Sequence, residues 1–268
     1  MSAGDYGNAA AGWASGAARV YGPLAVELVG CSPHPLAGRR VLDAGAGTGL
    51  GSAALAAVGA QPVAVDHSHG MLAWDRRRRP PSLAGDLSRL PLRDRAVDDV
   101  LAAFVLNHLD EPAAGLRELA RVTRPGGAIL ASSYATTSGS LARDALDEEL
   151  RRRGFVPPGW YLDIKAVAVP QVGSAEAMGR VAAAAGLAGP EVSERAVDVG
   201  VDHAADLVDY RLGQAQHAGW LASLPAGRRA ALRSELIEAI EPVMQPFRPT
   251  VVLLAATVRP PGRVAAPG

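Results

Sequence analysis

Three glycines in five residues follow directly on an apolar strand, in Val41-Leu42-Asp43-Ala44-Gly45-Ala46-Gly47-Thr48-Gly49, and a helix is predicted to begin at Leu50. Glycine serves where the backbone turns with positive φ, or where a ligand lies against a chain that carries no Cβ. Strand, glycine loop and helix together make the nucleotide-binding crevice of an open α/β sheet. The spacing narrows the ligand. A dinucleotide fingerprint needs G-x-G-x-x-G/A, but the sixth position is Leu50 counted from Gly45 and Ser52 counted from Gly47. A phosphate-binding loop needs a Gly-Lys pair, and the chain has none. What remains is an acid followed by alternating glycines.

Two further acids stand at the ends of predicted strands. Pro62-Val63-Ala64-Val65 runs into Asp66, and Leu83-Ala84-Gly85 into Asp86-Leu87. An acid about 20 residues past the glycines is placed to accept hydrogen bonds from ribose hydroxyls. Taken singly, each acid also reads as a strand end, a turn residue or a helix N-cap. A fourth strand is expected from Ala96 to Phe104, a helix from Glu111 to Val122, and a fifth strand from Ala128 to Ser132 after the stop Arg124-Pro125-Gly126-Gly127.

In order and spacing, D-x-G-x-G-x-G at Asp43–Gly49, Asp66-His67-Ser68-His69-Gly70-Met71-Leu72, the acid Asp86, and the run from Leu116 to Leu130 resemble the class I S-adenosylmethionine (SAM)-dependent methyltransferases. The resemblance covers about residues 39–133. It implies a Rossmann-like α/β fold: seven mostly parallel strands with helices on both faces. It also implies SAM as cofactor. Asp43, Gly45, Gly47 and Gly49 would hold the methionine part, Asp66 the ribose, and His67, Met71, Asp86 and Leu87 the adenosine. Phe104 and Tyr21 would line the same site. The end of strand four faces the transferring methyl in this family, so His108 is the candidate base, with Asn107 beside it. Packing beneath the cofactor is the other reading of His108. The N/D-P-P-Y motif of nucleic-acid and glutamine methyltransferases is absent, which favours a small-molecule acceptor; the expected setting is specialised (natural-product) metabolism.

The organisation expected is a helical cover over 1–35, with Tyr6, Trp13 and Tyr21 as ring candidates and a break or kink at Gly22-Pro23. The core comprises 36–135, 173–201 and 249–258. Two insertions, 136–172 and 202–248, follow strands five and six (Val192–Val201), and a disordered tail covers 259–268. Both insertions leave the sheet where ligands of open α/β sheets bind, so they are expected to form a lid over the acceptor. In the second, one helix from Asp202 to Leu221 would place His203, Tyr210, Gln214 and His217 on one face. His203 and Tyr210 are candidate catalytic residues there, and Tyr134 another pocket residue.

Composition sets the remaining limits. Net charge is zero with 27 basic and 27 acidic residues, so there is no electrostatic footprint for nucleic acid. The run Arg76–Arg79 before Pro80-Pro81 reads as a helix C-terminus, where arginine suits the dipole. A single cysteine, Cys31, allows no internal disulfide and suggests a reducing, cytoplasmic setting. No signal peptide or membrane span is read, and no metal site: His67-x-His69 lacks further ligands. A homodimer is compatible with the sequence. Three rival readings remain: a SAM-binding enzyme catalysing cyclisation, rearrangement or decarboxylation, a non-catalytic SAM-binding protein, and a nicotinamide enzyme.

Overall fold

The computed structural model describes residues 9–259. Tyr6 and the tail from 260 lie outside them. The chain enters through a helical run, Ala10–Gly12 and a π-helical turn Trp13–Ala17, into α1 (Ala18–Gly30). The core then alternates: β1 (Arg40–Ala44), α2 (Leu50–Ala57), β2 (Gln61–Asp66), α3 (His69–Ala73), β3 (Ser82–Ala84), β4 (Asp99–Ala103), α4 (Pro112–Val122) and β5 (Ala128–Tyr134). The first insertion carries α5 (Leu141–Arg152), α6 (Gly159–Asp163), a π-helical turn Ile164–Ala168 and α7 (Val169–Val172). After α8 (Ala175–Ala184) and β6 (Ala188–Ala196) comes the second insertion, with α9 (Ala204–Leu212), α10 (Ala215–Ser223) and α11 (Ala226–Ile240). β7 (Thr250–Thr257) closes the sheet.

The strand order is β3-β2-β1-β4-β5-β7-β6. β7 runs antiparallel to both neighbours, and the other pairs are parallel. The central strands are apolar on both faces because helices cover both. Val41, Leu101, Leu130 and Leu253 pack with Leu24 and Leu28 of α1 and Leu55 of α2 on one face. Leu42, Val100, Ile129 and Leu254 pack with Leu116 and Leu119 of α4 and Met178 of α8 on the other. At the N-terminal end of the strands, buried Asp99 accepts hydrogen bonds from Arg39, from His34 Nε2 (2.8 Å) and from the Ala128 N–H (2.7 Å). That network ties β4 to β5 and to the entry of β1, on the side away from the crevice.

Several expectations are corrected. Proline does not break the N-terminal helix: Pro23 lies inside α1, where it forfeits one backbone hydrogen bond, and the irregularity falls at the π turn instead. The run Arg76–Arg79 does not end a helix, since α3 stops at Ala73. Strand six begins and ends earlier than read. Val197, Val199 and Val201, whose alternation suggested a strand, are buried in the lid-side core. The helix expected over Asp202–Leu221 is two helices, the first beginning at Ala204, parted at Gly213-Gln214.

The physical reason for that break is close packing. A Cβ on Gly213 would lie 2.5 Å from the Gly12 carbonyl oxygen and 2.7 Å from the Ala17 nitrogen, and one on Gly16 would collide with the Asp209 carbonyl. The π turn and α9 thus meet backbone to backbone. Gly213→Val should destabilise the protein by ~1–3 kcal/mol through overpacking, read as a lower urea midpoint at constant slope. An unchanged midpoint would show that these segments do not meet.

Candidate active site

One cavity of about 990 Å³ opens at the C-terminal ends of β1, β2, β4 and β5. Its floor is the glycine loop. Gly45 (φ 74°), Gly47 (51°) and Gly49 (100°) all adopt positive φ. Gly45 is doubly constrained, because a Cβ there would lie 2.5 Å from Val105 Cγ2, whereas one on Gly47 would meet nothing within 4 Å. Of the three, Gly45 lines the cavity, with Ala46 and Thr48; Gly47 and Gly49 are not among its lining residues and serve the turn. Asp66 organises the loop: its two carboxylate oxygens accept from the Gly47 and Ser68 N–H groups, each at 2.7 Å. A carboxylate offers about four acceptor positions, so capacity for ribose hydroxyls remains. Ser68 caps α3 by accepting from the Met71 N–H, which sets buried Met71 in the wall.

Asp43 is buried at the end of β1 and accepts from Ser52 Oγ at 2.6 Å. Burial pushes its pKa up to about 6, against the hydrogen bonds from Ser52 and the pull of Arg79. Asp86 moves the other way: hydrogen bonds from Ser88 hold its pKa below the usual carboxylate range. His67, Asp86, Leu87 and Phe104 all line the cavity. Phe104 has φ 54°, uncommon for a bulky residue and a frequent mark of functional sites.

Arg79 is a residue that sequence reasoning missed. Its Nη1 donates to the Gly47 carbonyl (2.8 Å) and to the Met71 carbonyl (2.7 Å), pinning the glycine loop to α3. Nothing in a run of four arginines marks the fourth as the one that folds back.

Much of the cavity wall is aromatic. The chain has four tryptophans, five tyrosines and three phenylalanines. Trp13, Trp160, Tyr21, Tyr134, Tyr161, Tyr210 and Phe104 all line this one space, so most of a sparse aromatic complement is spent here. Trp13 stacks on Tyr21 at 4.7 Å between centroids, and Tyr21 and Tyr134 each meet Phe104. Both insertions reach the cavity, through Arg143 and Asp147 of α5, Trp160 and Tyr161 of α6, and Tyr210 and Arg211 of α9. They are joined by the Arg211–Asp147 ion pair, with Nε to Oδ1 at 2.9 Å.

The proposed catalytic residues separate. Tyr210 is buried and faces the cavity. His203 is exposed at the start of α9 and lines no part of it; the α9 residues that do, Tyr210 and Arg211, lie about two turns further on. His217, assigned to the same face, is instead sealed in the core with its ring 4.4 Å from Phe155. The kink at Gly213 turns α10 away. His108 lines the cavity, but burial, with His67 adding to the effect, lowers its pKa to about 4. It is neutral near pH 7 and a weak base.

The fold and the crevice can now be set beside known proteins. Residues 42–131 match the family model described as a methyltransferase domain. Residues 42–131, which carry the glycine loop and its acids, are thus a methyltransferase domain by this match. The demethylmenaquinone methyltransferase of Mycobacterium bovis (strain BCG / Pasteur 1173P2) is 44% identical over 115 residues, 43% of this chain and 49% of that protein. The chain thus spans about half the length of the curated relatives it matches. Among solved structures, Haemonchus contortus phosphoethanolamine N-methyltransferase 2 in complex with SAM aligns at a TM-score of 0.57 and 17% identity, over 88% of this chain and 52% of that one. The [4+2]-cyclase SpnF aligns at 0.55 and 20%, over 90% and 82%. At these identities the structures show shared fold.

The methyltransferase crevice fits its cofactor on its own terms. SAM carries positive charge, and the buried floor holds Asp43 and Asp66. The buried Thr48 Oγ1 and Asn107 Oδ1 atoms have no hydrogen-bond partner in the protein, although both residues line the cavity. Groups of that kind call for a ligand or water. No helix among the described residues is long and apolar enough to cross a membrane.

Two pH predictions follow from these environments. Ionised Asp43 attracts the cationic cofactor, so SAM affinity by calorimetry should fall as pH drops through about 6, and Asp43→Asn should flatten that fall. In the free protein the sign is reversed. A folded pKa raised from 3.8 to about 6 means that stability present below 3.8 is lost as pH rises through 6. His217 acts oppositely. Burial, and then Arg211, press its pKa well below 6.5, so stability present above 6.5 is lost as pH falls. His217→Phe should reduce the drop in melting temperature between pH 7 and pH 5, and an unaltered drop would place the acid sensitivity elsewhere.

Proposed function

We propose that the protein transfers a methyl group from SAM to a small-molecule acceptor held between the sheet and the two insertions. The single observation that carries this is the shape of the cavity: an acid-lined floor at the glycine loop runs continuously into an aromatic chamber roofed by both insertions. SAM supplies a methyl on a cationic sulfur. Asp66 positions the loop and the ribose, Asp43 balances charge, and Phe104, Tyr21 and Tyr134 form the wall where the two halves meet. The insertions exclude water and orient the acceptor, which supplies much of the rate enhancement in a displacement of this kind. About 990 Å³ is near the top of the usual range for one small-molecule site, as expected of a space shared by cofactor and acceptor.

The curated relatives are named for methylation of demethylmenaquinone, a ring compound, and an aromatic chamber suits a ring. The match to them covers the cofactor domain rather than the lids, so the acceptor here is read from the chamber itself. Specialised metabolism is the setting we assign, on the strength of two helical insertions devoted to one acceptor space.

A second reading keeps the cofactor and changes the reaction, since the same fold serves a [4+2]-cyclase and His108 is a weak base. One experiment separates them. The protein is incubated with methyl-deuterated SAM and a small-molecule extract, and products are read by mass spectrometry. Methyl transfer predicts a labelled product together with S-adenosylhomocysteine. A component that changes mass or retention without label, with no S-adenosylhomocysteine formed, would establish the second reading.

A further inference from the structure

The aromatic wall spends its polar ends on itself. Tyr134 Oη shares a hydrogen bond with Tyr210 Oη at 3.0 Å and another with Tyr21, and Gln214 Nε2 donates to Tyr210 Oη at 3.2 Å. Burial raises the pKa of Tyr134 and of Tyr210, so both stay neutral phenols. What these residues offer a ligand is ring surface. Aromatic faces carry negative charge density and attract cations.

One polar atom of this region is left open. Asp147 lines the cavity, and Arg211 holds it through Oδ1 alone, with Nε at 2.9 Å and Nη2 at 2.5 Å. Asp147 Oδ2 takes no hydrogen bond among the described residues, and 25% of the side chain is exposed. Tyr161 of α6 and Tyr210 of α9 stand beside the pair, since the Tyr161 hydroxyl bears on both Arg211 and Tyr210. An ionised carboxylate only accepts, so what fits Oδ2 is an N–H or O–H of the ligand.

Charge separates these two. The arginines of the wall are already engaged: Arg211 Nη1 donates to Gln214 Oε1, and Arg143 Nη2 donates to the Ser138 carbonyl (2.8 Å) and to Asp144 Oδ1 (3.2 Å). Lys165 is exposed to solvent. Over the whole cavity six aspartate and glutamate residues stand against three arginine and lysine residues, in a chain of zero net charge. A cavity with that excess favours positive charge beyond the one its cofactor brings.

We propose that Asp147 Oδ2 and the rings of Tyr161 and Tyr210 form a nitrogen subsite, and that the acceptor is a primary or secondary amine on an apolar frame, methylated on nitrogen. This rests on the methyltransferase reading and names its substrate class. The amine enters neutral and donates its N–H to Oδ2. Its lone pair forms the new bond to the methyl carbon, and the carbon–sulfur pair returns to sulfur. Positive charge thereby passes from sulfur to nitrogen. Oδ2 and the ring faces attract the nitrogen more strongly as that charge grows, so the interaction is stronger in the transition state than before it, which is the condition for acceleration. The N–H proton stays on nitrogen during transfer and leaves to water from the product. No protein base is required, in keeping with the low basicity of His108.

The test uses the full chain saturated with S-adenosylhomocysteine. Binding of S-adenosylhomocysteine is first measured alone by calorimetry; its failure would sink the methyltransferase reading and not merely this one. The loaded protein is then titrated at pH 7 with benzylamine, benzyl alcohol and benzoate, which present one frame as cation, neutral molecule and anion. Benzylamine should bind about tenfold or more tightly than benzyl alcohol, and benzoate should bind most weakly. Asp147→Asn should bring benzylamine down to the level of benzyl alcohol while sparing S-adenosylhomocysteine affinity. That variant leaves Arg211 buried without its partner, so it is also combined with Arg211→Gln, which removes both charges, and the preference should be absent there too. Equal binding of amine and alcohol, tightest binding of benzoate, a preference that survives in both variants, or no binding of benzylamine at millimolar concentration would each overturn the proposal.

Discussion

At the end of β1 the backbone of Gly45 meets two other strands at once. Its N–H donates to the Val65 carbonyl of β2 at 2.8 Å, and the place a Cβ would take is already filled by Val105, just past β4. The ends of three parallel strands are thereby drawn to one point, and each delivers a residue to the crevice: Asp43, Asp66 and Phe104. A side chain at position 45 would push β4 from β1 and spread them. The next turn of the chain repeats the logic at smaller scale. A Cβ on Gly51 would lie 2.6 Å from Asp43 Oδ1, so the first turn of α2 is pressed against the buried acid that Ser52 holds. The charge of the floor and the tightness of the loop are one arrangement.

The acceptor end is built by different means. α5, α9 and the N-terminal helix share one apolar core, and a polar pair fixes how two of them dock. Asp147 and Arg211 are 64 residues apart, and burial of such a pair contributes little net stability while making any other docking of the two insertions leave a charge unpaired. The glycine contacts of Gly16 and Gly213 add a steric register between the N-terminal segment and α9. Together they select one arrangement of lids among the many that apolar packing alone would accept.

The difference between these two ends explains what the sequence could convey. Asp43, Gly45, Gly47, Gly49 and Asp66 act through local backbone geometry, so their spacing along the chain carries their meaning. Tyr134 and Tyr210 were recognisable as pocket residues by place, one after a strand and one on an insertion helix. Their union with Tyr21 and Gln214 was not, because it depends on the bend at Gly213, and that bend is imposed by Gly12 and Ala17 from the other end of the chain. The same bend undid the alignment of His203 with His217. Periodicity assumes an unbroken helix, and here a tertiary contact broke it. Arg79 and Asp147 carry no local signal at all, each being one charged residue in a run of them.

β6 and β7 lie side by side, and the second insertion leaves the sheet at Ala196 and returns at Thr250, residues that face each other across the ladder. The two ends of that long excursion are therefore held together by strand pairing, whatever lies between. The entropy of closing a loop grows only slowly with its length, so the parts of this segment outside the shared core, whose members include Val201, Leu207, Leu232 and Leu236, can vary in length with small effect on the sheet. The architecture works as a socket: selectivity can be rewritten at the cavity-facing positions of residues 197–249, such as Tyr210 and Gln214, while the cofactor floor, fixed by the opposite half of the sheet, is carried over.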